Sequence, residues 1–105
     1  MLVQWLPTAL KNLLRITTDL HAKSPQAARD LGALIRAKGA GLATKYNLYR
    51  QGAVAGTREC VAHPNYIIIY RVRPKLERVE ILRIRHAAQK PPTPRKRVPR
   101  KTWRT

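Results

Sequence analysis

Hydrophobic and polar positions fall into two regimes along this chain. Apolar residues recur at helical spacing over 7–44, then alternate with polar ones over 54–85, as pleated strands do. An apolar run at Leu2–Trp5 precedes both and predicts an edge or central strand of the later sheet. Within Pro7–Ala22, Leu10, Leu13, Leu14 and Leu20 form one stripe with Ile16 at its margin. This predicts an amphipathic helix whose first turn accepts Pro7, since proline lacks an amide donor that would go unused there. Ser24-Pro25 marks a second start, with Ser24 capping free amides and Pro25 in the first helical position. Ala28, Leu31, Ile35 and Leu42 continue it, with Leu34 nearby. Gly39 and Gly41 each weaken a helix by about 1 kcal/mol relative to alanine, so the helix is expected to end or fray between Lys38 and Thr44. The short link predicts an antiparallel helical hairpin, and its apolar stripes require a sheet to cover them.

Three strands are predicted next: Val54–Val61, Tyr66–Arg73 and Val79–Arg85. His63-Pro64-Asn65 and Pro74-Lys75-Leu76-Glu77 separate them. Both connections are short and rich in turn formers, which implies an antiparallel meander. The fold class is therefore α+β, in βααβββ order, with an antiparallel sheet packed against an N-terminal helical hairpin. Strict alternation groups Val79, Ile81, Arg83 and Arg85 on one face of the last strand, and Ile67, Ile69, Arg71 and Arg73 on one face of the middle strand. Arg58 lies with Val54, Gly56 and Cys60. Arg58, Arg71, Arg83 and Arg85 then either converge into a cationic patch or extend separately into water. Lys45–Ala55 reads as a basic, aromatic loop. Its Tyr46 and Tyr49 either stack on bases while Lys45 and Arg50 meet phosphates, or close the edge of the core.

Charge sharpens the picture. The 105 residues carry 22 Lys/Arg against 5 Asp/Glu, a formal net charge of +17. Six of the basic residues lie in 91–105, a proline-rich tail without acids, which leaves +11 on residues 1–90. Two units follow: a folded domain over 1–90 and a basic tail over 91–105, expected to be extended or disordered. So basic a domain implies a polyanionic partner, whether nucleic acid, ribosome or acidic protein. No long apolar segment suggests a membrane partner, and no cleavable leader is evident, so a cytoplasmic setting is expected. Cys60 is the single cysteine, which excludes an intrachain disulfide and reads as a small buried thiol. His21, His63, His86 and Cys60 lack paired ligand spacing, so neither metal nor cofactor is expected.

Taken in order, SPQAARDL, GTREC, HPNYIIIYRV and VEILRIRHAAQ, on a βααβββ frame, resemble the RelE/ParE superfamily of toxins from type II toxin–antitoxin modules. The resemblance spans about residues 2–90. It implies a cognate antitoxin wrapping the toxin in a hetero-oligomer. Two activities occur on this scaffold. RelE-like members resemble ribosome-dependent endoribonucleases that cut mRNA in the ribosomal A site, whereas ParE-like members inhibit DNA gyrase without nuclease chemistry. For RNA cleavage, cations must stabilise charge developing on the phosphate while protons move at both oxygens. Matching the nuclease pattern assigns Arg58, and Arg83 as a second arginine, to the phosphate and His86 to general acid or base work; the loop and strand readings above add Lys45, Tyr49, Arg50, Arg71 and Arg85 as RNA contacts. Two departures bear on this. HAAQ stands where many relatives have HARQ, placing Ala88 at an arginine position, and no tyrosine follows the last strand. The sequence alone favours an mRNA interferase acting on ribosome and mRNA, with gyrase inhibition, or RNA binding without activity, as the alternatives.

Overall fold

A computed structural model describes residues 1–88; the tail over 91–105 lies outside them. The described elements are β1 (Leu2–Trp5), α1 (Pro7–His21), α2 (Pro25–Lys45), β2 (Arg50–Gln51), β3 (Arg58–His63), β4 (Tyr66–Arg73) and β5 (Arg78–His86), with a 3-10 turn at Pro74–Leu76. They form one five-stranded sheet in the order β1-β5-β4-β3-β2. The pairs β2–β3, β3–β4 and β4–β5 are antiparallel, as the short turns require. β1 joins as an edge strand and runs parallel to β5, with Val3 opposite Val79 and Trp5 opposite Ile81, so the sheet is mixed.

Both helices pack on one face of the sheet. Their Ala9, Leu13, Leu31, Ile35 and Leu42 meet Cys60, Ile68, Tyr70, Val79, Ile81 and Ile84 in a single core. Ser24 caps α2 as expected: its hydroxyl accepts from the Ala27 amide at 3.2 Å. On α1 the buried stripe runs through Ala9 and Leu13, with Ile16 and Leu20 packed against the core, whereas Leu10 and Leu14 are 51% and 67% exposed. The small Ala9 lets α1 approach β5 closely and rotates the stripe away from Leu10.

Three expectations need correction. α2 does not end at its glycines but continues to Lys45. Gly39 is a contact point: a Cβ there would sit 2.6 Å from Trp5 Cζ2, so the missing side chain makes room for the indole. The strand expected from Val54 begins instead at Arg58, and β2 precedes it. The Thr57 amide and hydroxyl both donate to the Val54 carbonyl, the Gly52 amide donates to the Thr57 carbonyl, and Gly56 takes φ +82°. This turn uses the left-handed freedom of Gly56 and converts 52–57 into a hairpin loop. The third correction concerns β5. The β4–β5 register shifts so that Tyr70 faces Ile81 while Ile69 faces Arg83, leaving Leu82 as an extra residue. Such a bulge inverts the alternation beyond it. Val79, Ile81 and Ile84 all reach the core, and Arg85 therefore does not share a face with Val79 and Ile81.

Candidate functional site

The registers place the candidate residues in three different surroundings. Arg58 lies opposite Tyr70, at the start of β3 on the helix-bearing face. Its Nη1 donates to the Tyr49 carbonyl at 2.7 Å, tying the segment after α2 to the sheet. Around it, Tyr49 meets Tyr70 edge-on at 6.4 Å between ring centroids, and the Tyr70 hydroxyl donates to the Tyr46 carbonyl at 2.8 Å. Burial, the leading cause, pushes the Tyr70 phenol up to about 12. Burial also raises the Cys60 thiol against the lowering effects of Tyr49 and Lys38, which disfavours a thiolate there. Of the loop read as basic and aromatic, Tyr46 and Tyr49 pack against the core, Arg50 pairs with Glu59, and Lys45 is exposed at the last turn of α2.

The opposite sheet face carries a second group. Arg71, Arg73 and Arg78 surround the carboxylate of Glu80 at 2.7, 3.4 and 3.5 Å, while Arg50 and Arg85 flank that of Glu59 at 3.0 and 3.4 Å. Arg71 and Arg85 therefore serve carboxylates of their own sheet and do not converge with Arg58. The hydrogen bond from Arg71 holds the Glu80 carboxyl below its ordinary value of 4.5, outweighing desolvation, and the neighbouring arginine charges add to it. Because the folded-state value is depressed, Glu80 stabilises the fold above about pH 4.5, and that contribution is lost as pH falls through the lower folded value. A Glu80→Gln variant should accordingly lose less melting temperature than the parent between neutral and strongly acid pH; equal losses would mean that the arginine cluster does not act through this carboxylate.

The third group forms a cleft of about 500 Å³ between α1 and the ends of β4 and β5. Arg83 and His86 line it together, joined by Tyr66 and, from α1 and the turn after it, Arg15, Asp19 and Lys23. The β4–β5 pairing sets His86 directly opposite Tyr66, with ring centroids 5.3 Å apart and edge-on; His63 flanks the other side of Tyr66 at 5.8 Å. The Ala88 amide donates to His86 Nδ1 at 3.0 Å, which orients the imidazole. The Asn12 Oδ1 accepts from the Ile84 amide at 3.0 Å and ties α1 to the stretch of β5 just past the bulge. That bond fixes the cleft's width where Arg83 and His86 enter it.

Two of the three residues assigned to catalysis thus share a cleft and the third does not. Arg58 is opposite Tyr70 and His86 opposite Tyr66, four residues along β4 or about 13 Å, with two strand spacings to add. Tyr66, Arg15, Asp19 and Lys23 were not singled out from sequence. Arg15 and Asp19 lie four apart on one face of α1 and Lys23 follows in the turn after it, but nothing in the spacing says what that face meets. No group of His, Cys, Asp and Glu suited to a metal occurs among the described residues, and none of their helices is long and apolar enough to cross a membrane.

Comparison with known proteins agrees on one kind of molecule. The family model described as "ParE toxin of type II toxin-antitoxin system, parDE" matches residues 3–91. No curated protein matches the sequence. Among solved structures, a chain of the chromosomal ParDE toxin–antitoxin system from P. aeruginosa superposes with TM-score 0.71 at 21% identity, over 82% of this chain and 95% of that one. A chain of the toxin–antitoxin complex RelBE2 from Mycobacterium tuberculosis superposes with TM-score 0.55, also at 21% identity, over 84% of this chain and 92% of that one.

Proposed function

Given that this chain belongs to the ParE toxin family of type II toxin–antitoxin systems, we propose that it arrests growth by binding DNA gyrase and not by cutting mRNA. The observation that carries the proposal is that Arg58 lies four residues along β4 from His86 and does not line the cleft that Arg83 and His86 share. A phosphoryl-transfer site must hold its cations and its proton-transfer groups about one phosphate. Here Arg58 is committed to a backbone carbonyl on the far side of Tyr70. A protein-binding poison needs no such convergence; it needs exposed, shaped surface and charge. The same logic extends to the antitoxin, whose acidic or amphipathic segment would neutralise this basic domain in a hetero-oligomer.

The cleft favours a second reading. Arg83 and His86, with Tyr66 between β-strand end and helix, supply a cation and a titratable imidazole in one place. In an mRNA interferase these would serve the phosphate and the proton transfers, and Arg58 would act only through the fold.

Two assays on the purified protein separate these readings. Under the gyrase proposal, supercoiling by gyrase should fall with added toxin, while mRNA on programmed ribosomes stays intact by primer extension. Cuts within A-site codons that vanish with His86→Ala, with supercoiling unaffected, would overturn it.

A further inference from the structure

Resting on the gyrase reading above, we propose that the toxin grips gyrase with the sheet face opposite the helices, where Arg71, Arg73 and Arg78 together receive an acidic segment of the enzyme.

The register builds this patch. Across β4, β5 and β1, Arg73 lies opposite Arg78, and Arg78 opposite Leu2. In the next row Arg71 lies opposite Glu80, and Glu80 opposite Gln4. The intervening Val72, Val79 and Val3 pack in or against the core, so strand alternation puts both rows on the face without helices. Glu80 thus sits among three guanidiniums, 2.7 Å from Arg71, 3.4 Å from Arg73 and 3.5 Å from Arg78.

The patch is short of negative charge and of acceptors. Three guanidiniums share one carboxylate, and Lys75 and Glu77 in the adjoining turn cancel each other. Arg73 and Arg78 face each other directly, and like charges so placed destabilise a sheet. Each guanidinium also carries more N–H groups than a shared carboxylate can accept. Arg78 Nε is buried without a hydrogen-bond partner among the described residues. The three side chains nevertheless stay within reach of a partner, being 42%, 43% and 32% exposed for Arg71, Arg73 and Arg78. Carboxylates from outside supply both the missing charge and the missing acceptors, and they match the guanidinium fork with two parallel bonds.

The surroundings suit a protein and not a nucleic-acid strand. Leu2 continues the row of Arg73 and Arg78 and is 69% exposed, and Leu76 in the turn is 52% exposed. Protein interfaces combine arginine with apolar contact in this way. Neither row contains an aromatic side chain, so successive bases would find no ring to stack on. The guanidiniums are gathered at one carboxylate, whereas a phosphate backbone is tracked by cations spread along a groove. Glu80 acts as a positioning residue: it holds the three side chains together before the partner arrives, which lowers the ordering cost of binding. The patch lies at the end of β4 away from Tyr66 and shares no residue with the cleft of Arg83 and His86.

The test measures binding of the full-length protein to purified gyrase, without DNA, by biolayer interferometry, together with inhibition of supercoiling. Parent is compared with Arg73→Ala, Arg78→Ala, Arg73→Lys and, as a control with the same change of charge on α2, Arg36→Ala. Titrations with a hexaglutamate peptide and with a labelled single strand of nucleic acid run beside it. Gyrase affinity should fall roughly tenfold or more with Arg73→Ala and Arg78→Ala. It should fall severalfold with Arg73→Lys, which keeps the charge, loses the fork and guards against misfolding. Arg36→Ala should bind as the parent does, and the parent's affinity should weaken with added salt. A parent that neither binds gyrase nor inhibits supercoiling sinks the gyrase reading and this inference with it. A parent that does both, with the two alanine variants equal to it, sinks this inference alone. So does loss of the single strand, or of hexaglutamate, by variants that keep gyrase: the patch would then belong to a nucleic acid or to a different acidic partner.

Discussion

Replacing Glu59 by alanine should remove about 3–5 kcal/mol of folding stability, a large share of the roughly 5–15 kcal/mol available to a small domain. Glu59 is 7% exposed and Arg85 is 6% exposed, with the carboxylate between Arg85 at 3.4 Å and Arg50 at 3.0 Å. The Arg50 side chain is 59% exposed, so water screens that pair and its loss matters little. Arg85 is the decisive partner. Without Glu59 the buried Arg85 guanidinium loses the carboxylate beside it, and removing one member of a buried ion pair is far costlier than losing a surface pair. The control is a double replacement, Glu59→Leu with Arg85→Met, which removes both charges and keeps apolar bulk. It should return to within about 1–2 kcal/mol of the parent or exceed it. Urea unfolding of the three proteins measures this directly. A Glu59→Ala protein within about 0.5 kcal/mol of the parent would show that water reaches Arg85 freely.

Much of this architecture could be read from the sequence because it is written in periodicity. Ile68, Tyr70 and Val72 alternate as a strand should, and they do face the helices. Ser24-Pro25 announces a helix start through local chemistry alone, and the cap is there. What escaped depends on pairing between distant segments. The extra residue at Leu82 exists only relative to β4, so an alternation rule applied to β5 by itself carried Arg85 onto the wrong face. The same applies to the site. Arg83 and His86 stand out as strand-end residues, but Tyr66 becomes their neighbour only through the β4–β5 register. Arg15 and Lys23 do so only through the way α1 crosses β5, held there by the bond between Asn12 and the Ile84 amide. Arg58 shows the converse. Its motif resembles a phosphate-binding one, yet its guanidinium is used to brace the segment after α2.

Gly39 and Gly41 are two residues apart in α2, and alanine at the two positions should change stability in opposite directions. Helix propensity alone favours alanine by about 1 kcal/mol at each. At Gly41 a Cβ meets nothing within 4 Å, so the full gain should appear. At Gly39 a Cβ would lie 2.6 Å from Trp5 Cζ2 and 3.1 Å from Ile81 Cδ1. The indole has little freedom to retreat: Trp5 is paired with Ile81, the next residue's amide donates to the Ile81 carbonyl, and Ile81 is fully buried. Overpacking of this kind costs about 1–3 kcal/mol, enough to reverse the propensity gain. Gly39→Val adds two methyl groups and β-branching in the same space, so its loss should reach about 3 kcal/mol, or more than about 10 °C of melting temperature for a domain of this size. Thermal unfolding of Gly39→Ala, Gly39→Val and Gly41→Ala would decide the matter. A rise in melting temperature for both alanine variants would mean that β1 and Trp5 shift readily, and that the α2–β1 contact is not what holds the parallel edge strand in register.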